Sequence, residues 1–166
     1  SLRVVGSTIS SSQVFLWVAH VAGLFKQYGV AAELVYIPSG PLIIQAMLAR
    51  EIDIAQTAAP AVVAANLSGA NLVVAAGINN TFVYSFRVRS GIKTVGDLKG
   101  KKIGVTRIGA DSHTAVVFAL KKWGLDPDRD VTVLQLGGQP EILAALQTGI
   151  VDAGPLSYPQ AGRARQ

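Results

Sequence analysis

The sequence predicts an α/β protein made of two similar lobes of parallel-type β-α-β units. Three observations predict it. The chain contains itself twice, strand-like and helix-like segments alternate in both copies, and glycines stand where helices must stop. The first copy runs from Leu2 to about Ala61 and the second from Lys102 to about Ala161, with matched positions offset by 95 to 99 residues. Self-similarity at a fixed spacing points to repeated structural units. Strands that alternate with helices of this length point to parallel sheets.

Each copy opens on a short β-branched strand, Arg3-Val4-Val5-Gly6 and Ile103-Gly104-Val105-Thr106. A loop of small polar residues follows, Ser7 to Ser12 and Arg107 to Ser112. An amphipathic helix then ends at an aromatic–glycine pair, Tyr28-Gly29 and Trp123-Gly124. Glycine suits that place because the residue just past a helix end adopts a left-handed conformation. Second strands are expected over Glu33–Ile37 and Val131–Leu136, and second helices over Leu42–Arg50 and Glu141–Gln147. Glycine-containing turns join them, at Ser39-Gly40 and Gly138-Gln139. Each copy closes on a short strand with an aspartate, Ile52-Asp53-Ile54-Ala55 and Val151-Asp152-Ala153-Gly154. Between the copies, Leu72–Gly77 and Val83–Val88 read as strands around the polar point Asn79-Asn80-Thr81. The expected organisation is lobe one over residues 1–82, a crossover or hinge over 83–101, and a partial lobe two over 102–166.

Composition narrows the function classes. Half of the 166 residues are hydrophobic and 15% are charged, which excludes a disordered chain. No apolar run reaches the roughly 18 residues of a membrane span; the longest, Val14 to Phe25, is broken by His20 and Gly23. The formal charge is +5, yet Lys and Arg form no run, so no nucleic-acid partner is expected. The absence of cysteine excludes thiol catalysis, disulfides and cysteine-ligated metal. There is no G-x-S-x-G elbow, Walker A segment or His-Glu-x-x-His helix, so neither an enzyme nor a resident metal or cofactor is expected. Acid–base chemistry would rest on Asp53, Asp111 or Asp152. The equivalent repeat positions of Asp53 and Asp152 favour a repeated structural role.

Three segments carry a resemblance to a known family. They are Gly23-Leu24-Phe25-Lys26-Gln27-Tyr28-Gly29-Val30, Ala46–Ile54, and Val95-Gly96-Asp97-Leu98-Lys99-Gly100-Lys101-Lys102-Ile103-Gly104-Val105. The chain resembles the periplasmic binding proteins of nitrate, sulfonate, taurine and thiamine-pyrimidine transporters, nearly throughout, up to about Pro159. The resemblance implies a type II-like periplasmic binding protein fold, incomplete at the C-terminus, because family members are considerably longer. It also implies export to the periplasm or cell surface, a small-molecule ligand and a membrane permease as partner. Apolar surface left uncovered in so short a chain raises an expectation of self-association. An enzyme or pyrimidine-precursor-binding protein on the same fold is the alternative. A regulator's effector domain is a third plan and would need a DNA-binding helix-turn-helix ahead of Ser1.

In open parallel sheets, ligands bind beyond the carboxyl ends of the strands. In lobe one that rule selects Ser10, Ser11, Ser12, Ser39, Gly40, Thr57 and Ala58; in lobe two it selects Thr106, Arg107, Ser112, His113 and Gln139. These residues precede helices, whose starts offer free N–H groups and partial positive charge to an anion. Ser11, Ser12 and Asp111 fit ordinary helix caps equally well, and Gly40 ordinary turn geometry. Arg107 either faces the cleft, holding a carboxylate or sulfonate, or is solvated. His113, in a first helical turn, is expected to be neutral. Asn80 either lines the hinge or makes a turn. Trp17, Trp123 and Tyr28 are expected to pack.

Overall fold

The computed structural model describes residues 1–7 and 13–164. Two sheets carry the chain. The first has the order β2-β1-β3, from β1 (Leu2–Gly6), β2 (Ala32–Tyr36) and β3 (Ile54–Gln56), all parallel. The second has the order β4-β7-β5-β6, from β4 (Ser85–Val88), β5 (Lys102–Val105), β6 (Thr132–Gln135) and β7 (Ala153–Leu156). Its strands are parallel except β4, which runs antiparallel to β7. Helices α1 (Val14–Val21), α2 (Leu24–Gln27), α3 (Gly40–Leu48) and α4 (Ala59–Leu67) accompany the first sheet. Helices α5 (Asp111–Lys122), α6 (Gln139–Thr148) and α7 (Gln160–Arg163) accompany the second.

The repeat is visible bond by bond. Asp53 accepts the Arg3 N–H at 2.8 Å and returns its own N–H to the Arg3 carbonyl at 3.1 Å. Asp152 does the same with Lys102, at 3.0 and 2.8 Å. Each aspartate thus clamps the strand that begins its copy, and the two clamps lie 99 residues apart. This is the structural role that their equivalence indicates. A second device recurs at the same offset. The Ser7 N–H donates to Gln13 Oε1 at 2.8 Å, and the Thr106 N–H donates to Ser112 Oγ at 3.0 Å. Both side chains fix the backbone where the first strand turns into its helix.

The second sheet is covered on both faces, because successive strand residues point to opposite sides. Ile103 and Val105 pack with Val116 and Leu120 of α5; Ile142 and Leu146 of α6 pack with Val151 and Leu156. Gly104 faces the α6 side, where a Cβ would lie 2.7 Å from Leu136 and 3.3 Å from Val151. Lobe one is thinner, with a core cluster of Val5, Ile43 and Ile52.

Four expectations change. The first helix is divided at Gly23, whose φ of 70° no continuing helix accommodates. Leu72–Gly77 forms no strand: Val73 is 85% exposed, and a β-branched run without a neighbouring ladder has nothing to pair with. The strand expected over Val83–Val88 is confined to Ser85–Val88 and belongs to the second sheet. Tyr28 is 77% exposed, since it closes the short α2 on the outer surface. Trp123 does pack, edge-on to Phe86 with ring centroids 5.2 Å apart.

Candidate functional site

One cavity opens between the carboxyl ends of the two sheets. Its walls are built largely from helix starts. Gln13, Ser39, Ala58, Ala110 and Gly138 each line it, and they are the residues immediately preceding α1, α3, α4, α5 and α6. None of the five makes a side-chain cap bond to its helix. Five helix starts therefore aim partial positive charge toward one space.

The wall from lobe one contains hydroxyls without partners. Ser39 is 6% exposed, and its Oγ has no hydrogen bond; the buried Thr57 Oγ1 has none either. Ser39 is also held at φ 84°, ψ 139°, a conformation that favours glycine and costs a serine on the order of 1–3 kcal/mol. Beside it, Gly40 permits close packing of α3 on α4: a Cβ there would lie 3.0 Å from Thr57 Oγ1 and 3.1 Å from Ala61.

The wall from lobe two is satisfied internally. Ser112 Oγ lies 2.8 Å from Thr106 Oγ1. Gln139 Oε1 accepts the Ser157 N–H at 2.9 Å, and its Nε2 donates to the Pro155 carbonyl at 3.4 Å. The copy of that arrangement in lobe one has Gly40 in place of Gln139 and Ala58 in place of Ser157, so no side chain can make the same bridge there. Asp111 and Tyr84 complete this wall and hydrogen-bond to each other. Burial raises the pKa of both; the Asp111 charge raises that of Tyr84 further, whereas the bond from Tyr84 partly offsets the rise at Asp111. Burial, then the Glu141 charge, raises that of Tyr36.

Ser39, Gly40, Thr57, Ala58, Thr106, Ser112 and Gln139 thus meet at one cavity, as the strand-end rule places them. Arg107, His113 and Asn80 are not among the lining residues. Arg107 follows the cavity-facing Thr106, and neighbouring residues at a strand end diverge. The ring of His113 turns back to its own loop, accepting the Gly109 N–H at Nδ1 (3.2 Å), and burial lowers its pKa. Asn80 is exposed on the connection between the lobes. Ser10, Ser11 and Ser12 lie outside the described residues. Gln13, Tyr36, Tyr84 and Asp111 were not selected from sequence. Gln13 had a usable signal, because it stands 99 residues before Ser112. Tyr84 had none, since β4 gives its approach no local marker.

Among the described lining residues there is no Lys, Arg or His, and Asp111 is the one carboxylate. No group of His, Cys, Asp or Glu among the described residues could hold a metal ion, and no described helix is long and apolar enough to cross a membrane. The arrangement suits a ligand gripped by neutral donors from both sides.

Comparison with known proteins agrees with this geometry. The family model described as "NMT1/THI5 like" matches residues 11–163. A Brucella abortus protein bearing the name "putative binding protein" is 30% identical over 151 residues, which cover 90% of this chain and 45% of that protein. An Escherichia coli protein named as a "putative aliphatic sulfonates-binding protein" is 34% identical over 124 residues, covering 72% and 37%. The crystal structure of the periplasmic aliphatic sulphonate binding protein of Escherichia coli superposes with a TM-score of 0.67 at 28% identity, covering 99% of this chain and 53% of that one. The chain spans about half the length of the curated relatives it matches. On the family match and these likenesses, the chain belongs to the NMT1/THI5-like family and has the fold of the periplasmic binding proteins.

Proposed function

We propose that this chain belongs to the substrate-binding component of an ABC import system and captures a small anionic solute, of the sulfonate, nitrate or taurine kind, between its two lobes. One observation carries the reading: five uncapped helix starts converge on a cavity whose lobe-one hydroxyls have no partner. An oxyanion would satisfy Ser39 Oγ and Thr57 Oγ1 while resting on the positive ends of the helices. The sulfonate-binding relatives support the same class. In this reading the protein is exported, works at the periplasm or cell surface, and hands its ligand to a membrane permease. Ligand binding would favour the closed arrangement of the lobes in proportion to its preference for that state.

The test is a thermal-shift screen with alkanesulfonates, taurine, nitrate, bicarbonate, pyrimidines and aromatic carboxylates. A ligand at 100 times its Kd adds about 2.7 kcal/mol, a rise of roughly 5–20 °C in Tm for lobes of this size. The expected result is a shift with an oxyanion that Thr57→Val abolishes. A shift confined to neutral pyrimidines would favour the alternative reading, and no shift with any oxyanion would overturn the proposal.

Self-association belongs to the same proposal. Val73 and Val74, 85% and 65% exposed in an extended segment that pairs with no strand, support it. Light scattering is expected to give a mass above that of one chain at micromolar concentration; a monomer there would sink this part.

A further inference from the structure

The two walls of the cavity have opposite unmet needs. Lobe one presents donors, the Ser39 and Thr57 hydroxyls, with no partner of their own. Lobe two has bound its neutral groups to each other, through Ser112 with Thr106 and Gln139 with Ser157. What remains on that wall is the Asp111 carboxylate, bonded to Tyr84. An ionised carboxylate offers about four acceptor sites, and one phenol leaves most of them open. Among the described residues no Lys, Arg or His forms an ion pair with Asp111.

A bare anion would bring a second negative charge into the space that Asp111 already occupies. Like charges in a partly desolvated cavity repel. A ligand with an oxyanion at one end and an ammonium at the other meets both walls with their complement. The oxyanion lies on the lobe-one hydroxyls and helix starts, and the ammonium donates to Asp111.

We infer that Asp111 is a specificity-determining residue that reads an amino group, and that the preferred ligand is a short aminoalkyl oxyanion. This rests on the proposed anion-binding role of the cavity and narrows it. Tyr84 acts as a positioning residue: its hydroxyl holds the Asp111 carboxylate toward the lobe-one wall. The duplicated architecture supports the assignment. The position of lobe one equivalent to Asp111 falls in the segment before Gln13 and is a serine, Ser12, so the acidic group belongs to one wall and gives the cavity a polarity from end to end.

Matched pairs test it, each pair differing by one amine: taurine with ethanesulfonate, 2-aminoethylphosphonate with ethylphosphonate, and β-alanine with propionate. Affinities are measured by calorimetry on the purified chain and on Asp111→Asn, which keeps the shape and removes the charge. The expected result is at least one pair in which the wild type binds the amine-bearing member ten-fold or more tighter. Asp111→Asn should bring that ratio close to one, chiefly by weakening the amine-bearing member. If the wild type prefers the amine-free member of every pair it binds, the inference fails while the anion-binding role stands. A ratio unchanged in Asp111→Asn overturns the inference in the same way. Because the wild-type ratio needs no variant, a poorly folded Asp111→Asn does not protect the inference. If no member of any pair binds, the anion-binding role falls and the inference falls with it.

Discussion

Ile142→Ala is expected to destabilise the chain by about 2–5 kcal/mol, the cost of emptying a fully buried aliphatic site. Ile142 has 0% exposure and packs with Leu146, Val151 and Leu156 on the α6 face of the second sheet. Its Cγ2 would lie 2.8 Å from a Cβ at residue 154, which accounts for the glycine there. Strand and helix are so closely fitted that neighbouring side chains cannot collapse into the space left by alanine. The loss extends to the cavity, because α6 begins with Gln139 and its bond to Ser157. Urea denaturation would show the effect as a lower midpoint with little change in slope. Val63→Ala, at a residue 55% exposed, is the control and should stay within about 0.5 kcal/mol of wild type. An Ile142→Ala loss below about 1 kcal/mol would mean that the α6 face is loosely packed.

Ser39→Gly is expected to move stability and affinity in opposite directions. At φ 84° glycine relieves backbone strain of on the order of 1–3 kcal/mol. It also removes a buried hydroxyl that has no partner, a burden of about 1–3 kcal/mol. Greater freedom of the unfolded chain takes back about 0.4–1 kcal/mol. The net expectation is a stabilised protein, by about 1 kcal/mol or more. The ligand loses a hydrogen bond to an ionised group, a loss of about 1.5–3 kcal/mol, or roughly ten- to hundred-fold in Kd. Thermal melts without ligand, paired with titration of the best oxyanion from the screen, measure both. A variant less stable than wild type would show that Ser39 serves the fold. Unchanged affinity would remove Ser39 from the binding wall.

Much of the fold is legible in the sequence because the chain supplies its own alignment. The equivalence of Asp53 and Asp152 implies one shared job, and both clamp the first strand of their copy. The strand-end rule locates the cavity because parallel β-α units direct every helix start to the same end of the sheet. The rest depends on packing and direction. Leu72–Gly77 has strand composition, yet a strand exists only where a neighbour receives its bonds. Arg107 occupies the right loop but follows the residue that faces the cavity, and charge alone does not reveal which way a side chain turns. Tyr84 reaches the site from the connection between the lobes, at a distance from Asp111 that no local pattern encodes. Asp111 itself reads as a helix cap until Ala110 is seen in that place.

The unequal thickness of the two copies has a consequence for how the molecule breathes. Lobe two keeps two buried clusters on opposite faces of a four-stranded sheet, whereas lobe one keeps three buried residues beside three strands. Transient opening follows local burial, and the least buried unit opens at the lowest free energy. The half that bears the unpartnered hydroxyls is therefore also the half that fluctuates first. A bound solute would quiet that half more than the other, so occupancy is recorded as a change in the motion of lobe one while lobe two serves as the fixed reference.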